Sequence, residues 1–197
     1  MNKSKMRFLI CFLLIICLAS VQVFAQGKNL KWNLAFLNVK TGKAVPFSAP
    51  IQSGTGEQYR LIVQPGAKCF VYIIAEDPEG DVAVLRAGSM ANGETWTSES
   101  LQITDPKGSD SLFIVASLEE QKVLAQRITA LQDNNGASQR RALMTEVFRI
   151  RSDTSKFKEA PEKPVLMGGA SRGSEDKSEG VEFSGVGTYV KTISIEH

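Results

Sequence analysis

Histidine occurs once and cysteine three times in 197 residues, and this scarcity removes most catalytic chemistry at the outset. The one histidine, His197, is the last residue. Ser-His-Asp and Cys-His catalysis need an imidazole oriented by a second group, which that position argues against. A structural zinc site wants four ligands and is excluded by the same counts. Two of the three cysteines, Cys11 and Cys17, fall in an apolar run near the start, leaving only Cys69 beyond it. One thiol makes no internal disulfide, so a hydrophobic core must hold the domain. Past residue 25 no stretch is apolar enough to span a membrane. Aromatic residues are sparse, at 8%.

What the chain does have is a leader. Lys3, Lys5 and Arg7 precede an apolar run from Phe8 to Ala19, and Val23-Phe24-Ala25 supplies an Ala-x-Ala-like cleavage site. Residues 1–25 therefore read as a secretory signal peptide, cleaved between Ala25 and Gln26. Two other readings compete: lipid modification at Cys17, which wants a small residue where Ile16 stands, and an uncleaved anchor, for which the run is short. Cleavage leaves 172 of the 197 residues, enough for one domain with a sizeable core. It also removes three of 23 basic residues and none of the 21 acidic ones, so the formal charge falls from +2 to −1. The basic excess belongs to the leader and points to no nucleic acid partner.

The mature chain reads as mainly β. Lys31–Val39 alternates around Trp32, Leu34 and Phe36, and Val45–Glu57 reads as a loop. Tyr59–Val63 alternates with Ile62 out of pattern. Cys69–Ala75 and Ser111–Ala116 are apolar on both faces, the mark of central strands covered on both sides. Asp77-Pro78-Glu79-Gly80 predicts a hairpin turn in which proline presets one φ and glycine takes the left-handed position. Val82–Leu85 is the return strand. Glu94–Thr97 and Leu101–Ile103 suit short edge strands, and Asp105-Pro106-Lys107-Gly108 repeats the turn.

The period then changes to that of helices. Ser117 and Glu120 match a capping box, Leu124, Ile128 and Leu131 form a helical stripe, and Asn134-Asn135-Gly136 is a stop. Ser138–Ile150 is a second amphipathic helix through Leu143, Val147 and Ile150, and the short link favours an antiparallel pair on one sheet face. Residues 152–180 lose periodicity and read as a disordered linker or long loop. Residues 181–197 return to strand character, with Tyr189, Ile193 and Ile195 on one face, and the last strand is expected to dock back onto the body. The fold expected is an α+β, mainly β, antiparallel sandwich-like domain over residues 26–151 plus that returning strand.

Two stretches, Tyr59–Arg86 and Asp105–Ser117, resemble the bacterial domain-of-unknown-function family four-three-eight-four. The matching residues are Phe70-Val71-Tyr72, Asp77 to Gly80, Val82 to Leu85, and Gly108 to Ser117. The sequence departs from that pattern at Arg86-Ala87-Gly88, where the family has a Phe-Pro-Asn-like segment. The resemblance implies a β-sandwich-like domain of exported or signalling proteins, with no established activity and no catalytic residue to transfer.

Few side chains suggest chemistry. Cys69 opens a strand and suits a small buried hydrophobe better than a reactive thiol. Glu76, Asp77, Glu79 and Asp81 cluster at one turn, where a calcium ion competes with a solvated acidic loop; Pro78 breaks the usual ligand ladder. Gly168-Gly169 and Gly185-Val186-Gly187 suit turns. Arg140, Arg141, Arg149 and Arg151 give the second helix positive charge, by default a solvated face. Trp96 is a candidate exposed ligand contact. No catalytic, cofactor-binding or metal residue is assigned. The expectation is an exported, periplasmic or secreted, non-enzymatic envelope protein that meets an unknown protein partner as an interaction or scaffold module. The alternative is a module for a small ligand or glycan, with Trp96 in a concave site.

Overall fold

The computed structural model describes residues 29–154, 163–168 and 177–197. The leader, with Cys11, Cys17, Ala25 and Gln26, lies outside the described residues. The strands are β1 (Asn29–Asn38), β2 (Ile51–Gln52), β3 (Gln58–Pro65), β4 (Cys69–Glu76), β5 (Val82–Met90), β6 (Trp96–Thr97), β7 (Leu101–Gln102) and β8 (Ser109–Ser117). Two helices follow, α1 (Lys122–Asp133) and α2 (Ala137–Thr154), then β9 (Lys163–Gly168), β10 (Lys177–Val186) and β11 (Thr188–Glu196).

These strands form a six-stranded sheet, ordered β6-β3-β1-β10-β9 with β7 beside β3, and a five-stranded sheet, ordered β2-β11-β8-β4-β5. Pairing is antiparallel apart from β2 with β11, which is parallel. The fold is thus mainly β with two helices, as the patterning predicts.

Strand alternation builds the interior between the sheets. Leu30, Trp32, Leu34 and Phe36 of β1 share one core with Val71 and Ile73 of β4 and with Ile114 of β8. Trp32 is its largest fully buried side chain, its ring centroid 5.4 Å from those of both Phe183 and Tyr189. The opposite faces of β4 and β8 carry Tyr72, Ile74, Phe113 and Val115, which form a second core with Leu124, Ile128 and Leu131 of α1 and Leu143, Val147 and Ile150 of α2. Both faces of these strands are therefore covered, one by a sheet and one by helices, which is why both read as apolar. Ile62, out of pattern in β3, lies buried on the other sheet's outer face against its pairing partner Ala35.

The hairpin at residues 77–81 forms as expected, with Gly80 at φ +81°. The Asp77 backbone N–H donates to the Asp81 carbonyl, and Asp77 Oδ1 accepts from the N–H groups of Glu79 and Asp81. The two Asp-Pro-x-Gly turns stack on each other: a Cβ at Gly108 would lie 2.6 Å from Pro78 Cβ, so only glycine fits that approach without displacement.

Several expectations are corrected. Residues 152–180 are not one loop: α2 continues to Thr154, and β9 and β10 pair as a hairpin from Lys163↔Glu182 to Gly168↔Lys177. β9 is a sheet edge, where Pro164, which lacks an N–H, is tolerated. The segment 181–197 holds two strands in two sheets, with β10 between β1 and β9 and β11 between β2 and β8. Within Val45–Glu57, Ile51-Gln52 forms the strand that pairs with the end of β11. Ser117 caps no helix. It ends β8 paired with Thr188 and Phe70, so its backbone is already used in the sheet, and its hydroxyl is shared with Thr188 Oγ1 at 2.9 Å. α1 begins later, at Lys122, after a Gln121 whose N–H donates to Tyr72 Oη.

Candidate functional site

One concavity among the described residues lies on the helix-covered face of the five-stranded sheet, where the helices stop short of its edge. Register builds its floor. Glu76 of β4 is paired with Ser111 of β8, which is paired with Ser194 of β11, so a carboxyl and two hydroxyls form a row across three strands. Neighbouring strands put such groups ~4.8 Å apart. The next row holds Phe113 and Thr192. Phe148 and Arg151, one turn apart on α2, form one wall, and residues 47–50 form another. The cleft, open to solvent on one side, has a volume of about 370 Å³. A second cavity of about 400 Å³, lined by Val82, Arg140, Arg141 and Met144, shares Glu76 and Phe148 with it.

The polar groups of this floor are only partly satisfied. The Thr192 hydroxyl is buried and has no hydrogen-bond partner, although Thr192 lines the cavity. Burial, and secondarily the Asp77 carboxylate, raises the Glu76 pKa from its ordinary value. Phe148 is 45% exposed, its ring standing edge-on to Phe113 with centroids 5.5 Å apart. Arg151 has no ion pair among the described residues. Lys191 reaches the rim, and its ammonium lies over the rings of Phe47 and Phe183 at 5.6 and 5.2 Å.

Two other arginines of α2, Arg149 and Arg140, are engaged. Arg149 donates through Nε and Nη2 to Glu146 at 2.9 and 2.7 Å and through Nη1 to Asp153 at 2.8 Å. Arg140 pairs with Asp81. The acidic turn is likewise occupied in holding itself together: Asp77 binds the turn backbone and Asp81 binds Arg140. No three His, Cys, Asp or Glu side chains are grouped to hold a metal among the described residues.

Trp96, the residue singled out from sequence, lies elsewhere. It sits in edge strand β6 opposite Val63, half-buried against the sandwich core, with the Arg86 guanidinium 6.0 Å from its ring. It lines neither cavity. Cys69 is 1% exposed, and burial pushes its thiol up to about 11, which leaves it neutral. His197 is better held than its position suggests. Its backbone N–H and C=O pair with the C=O and N–H of Gly108, and its buried ring brings Nε2 to 2.9 Å from Asp110 Oδ2, an ion-pair distance without hydrogen-bond alignment. Burial raises the Asp110 pKa, and the facing imidazole partly offsets this.

The chain matches no family model and no curated protein. Among the described residues no helix is long and apolar enough to cross a membrane.

The groups that make the cavity were invisible as a set in the sequence. Glu76 appeared there only as part of an acidic turn and Arg151 only as part of a basic helix. Ser111, Thr192 and Ser194 carried no signal, because sheet register alone brings them together.

Proposed function

We propose that this protein is an exported, non-enzymatic binding module that takes a small polar ligand in the cavity between α2 and the edge of the five-stranded sheet. The observation that carries this reading is the Glu76–Ser111–Ser194 row beside the unpartnered Thr192 hydroxyl, roofed by a half-exposed aromatic ring. Ligand sites commonly combine a cleft of order 300–1,000 Å³ with a few convergent polar groups and apolar walls. Export rests on the leader at residues 1–25, and the periplasm or the exterior is the compartment proposed. Membership of domain-of-unknown-function family four-three-eight-four is proposed alongside; the segments that carry the resemblance include three adjacent strands, β8, β4 and β5.

The absence of catalysis is proposed because the reactive groups on view are ill-suited to it. Cys69 is buried and neutral, and His197 is enclosed against Asp110. The test is a ligand-observed NMR screen of the mature chain against polyols, saccharides, amino acids and dicarboxylates, run in parallel with Ser111→Phe, which fills the floor. Signals attenuated by the wild type and not by the filled variant support the reading. Equal attenuation by both, or turnover of any member of a peptide, ester and glycan panel, overturns it.

A further inference from the structure

We infer that the ligand of this cavity is an acidic saccharide: a hydroxyl-bearing ring carrying a carboxylate. The inference rests on the binding-module reading above and gives that site its chemistry. The row of Glu76, Ser111 and Ser194 offers one acceptor-rich carboxyl and two hydroxyls that both donate and accept, a set suited to several ligand hydroxyls at once. Phe148, nearly half-exposed, offers an apolar face to the C–H side of a sugar ring.

Charge narrows the class. Arg151 and Glu76 both line the cavity and are not paired with each other, so the site keeps an acceptor for hydroxyls and a cation for an anion. The planar guanidinium fork matches a carboxylate in two parallel hydrogen bonds. A phosphate dianion fits less well: it would meet one guanidinium beside a carboxyl, while the Lys191 ammonium lies over the Phe47 and Phe183 rings. A neutral sugar offers the Arg151 guanidinium no opposite charge.

The test is calorimetric titration of the mature chain with a disaccharide ending in a uronate and with its counterpart whose carboxylate is replaced by hydroxymethyl. The uronate is expected to bind at least about tenfold more tightly, the usual scale for one charge-assisted pair. Arg151→Gln, at an exposed position, is expected to reduce that preference below about twofold. Equal affinity for the two sugars, or a preference retained in Arg151→Gln, overturns the acidic-saccharide assignment and leaves the binding-module reading standing. If neither sugar binds while the screen yields another ligand displaced by Ser111→Phe, the assignment fails alone. If the screen yields no ligand, both fail.

Discussion

Phe113 gives the most direct measure of how the layers hold together. Its side chain is 3% exposed and lies in the core between the five-stranded sheet and the helices, with the Phe148 ring edge-on at 5.5 Å. A buried phenyl of this kind removes ~150–200 Å² of apolar surface from water. At ~25 cal/mol per Å² that is ~4–5 kcal/mol. Alanine keeps part of this and leaves a cavity, so Phe113→Ala should cost ~3–5 kcal/mol. That is a large share of the ~5–15 kcal/mol typical of a folded domain. Phe148 keeps nearly half its surface in water, so Phe148→Ala should cost about half as much or less. Edge-to-face pairs are worth ~0.5–1.5 kcal/mol beyond area, so the double variant should cost that much less than the two single costs combined. The assay is equilibrium urea unfolding of the four proteins, with the m-value checked for constancy. A Phe113→Ala cost below ~1 kcal/mol would show that β8 is not held between two layers. Strict additivity would show that α2 is not seated on Phe113.

Three further outcomes follow from particular contacts. Gly108→Ala should destabilise by ~1–3 kcal/mol because its Cβ meets Pro78 Cβ, and Gly80→Ala by ~1–2 kcal/mol from its left-handed backbone alone; thermal unfolding reads both, and a Gly108→Ala loss that shrinks in a Pro78→Gly background, which removes that Cβ, distinguishes the steric cause. Cys69 should resist a thiol-specific chromogenic reagent at pH 8 in the native protein and react at once in denaturant, since burial holds it neutral up to about 11; fast native labelling would contradict its burial. Glu76 has a raised folded pKa, so the native state binds its proton more readily than the unfolded chain does, and its contribution to stability improves as pH falls through that pKa. Glu76→Gln should therefore be more stable than wild type at pH 7, with the gap closing on acidification, and a gap that widens in denaturant melts at low pH would refute this.

Legibility in the sequence followed how local each determinant is. β4 and β8 were readable because burial on both faces demands continuous apolar residues, and α1 and α2 because Leu124/Ile128/Leu131 and Leu143/Val147/Ile150 repeat at the helical period. β9 was not, since an edge strand pairs on one side only and Lys163-Pro164 resembles linker composition. Ser117 matched a capping pattern that depends on three residues, yet its partners Phe70 and Thr188 lie far away in the chain and claimed its backbone first. His197 was misjudged for the same reason: what orients it is Gly108 and Asp110 on a neighbouring strand. The cavity was the least legible feature, because residues 76, 111 and 194 meet only through the order β4-β8-β11.

The two strands after residue 176 sit inside the sheets rather than at their rims, one in each, with a single residue, Gly187, between them. A growing chain therefore cannot finish either sheet until residues 177–197 have emerged. β1, among the first strands made, waits on one side for β10, and β8 waits for β11. Contacts spanning most of the chain slow the search for the native state, and until then two partly apolar strand edges stand open to wrong partners. The last strands act as a keystone: loss of residues 177–197 would cost both layers at once rather than shorten one.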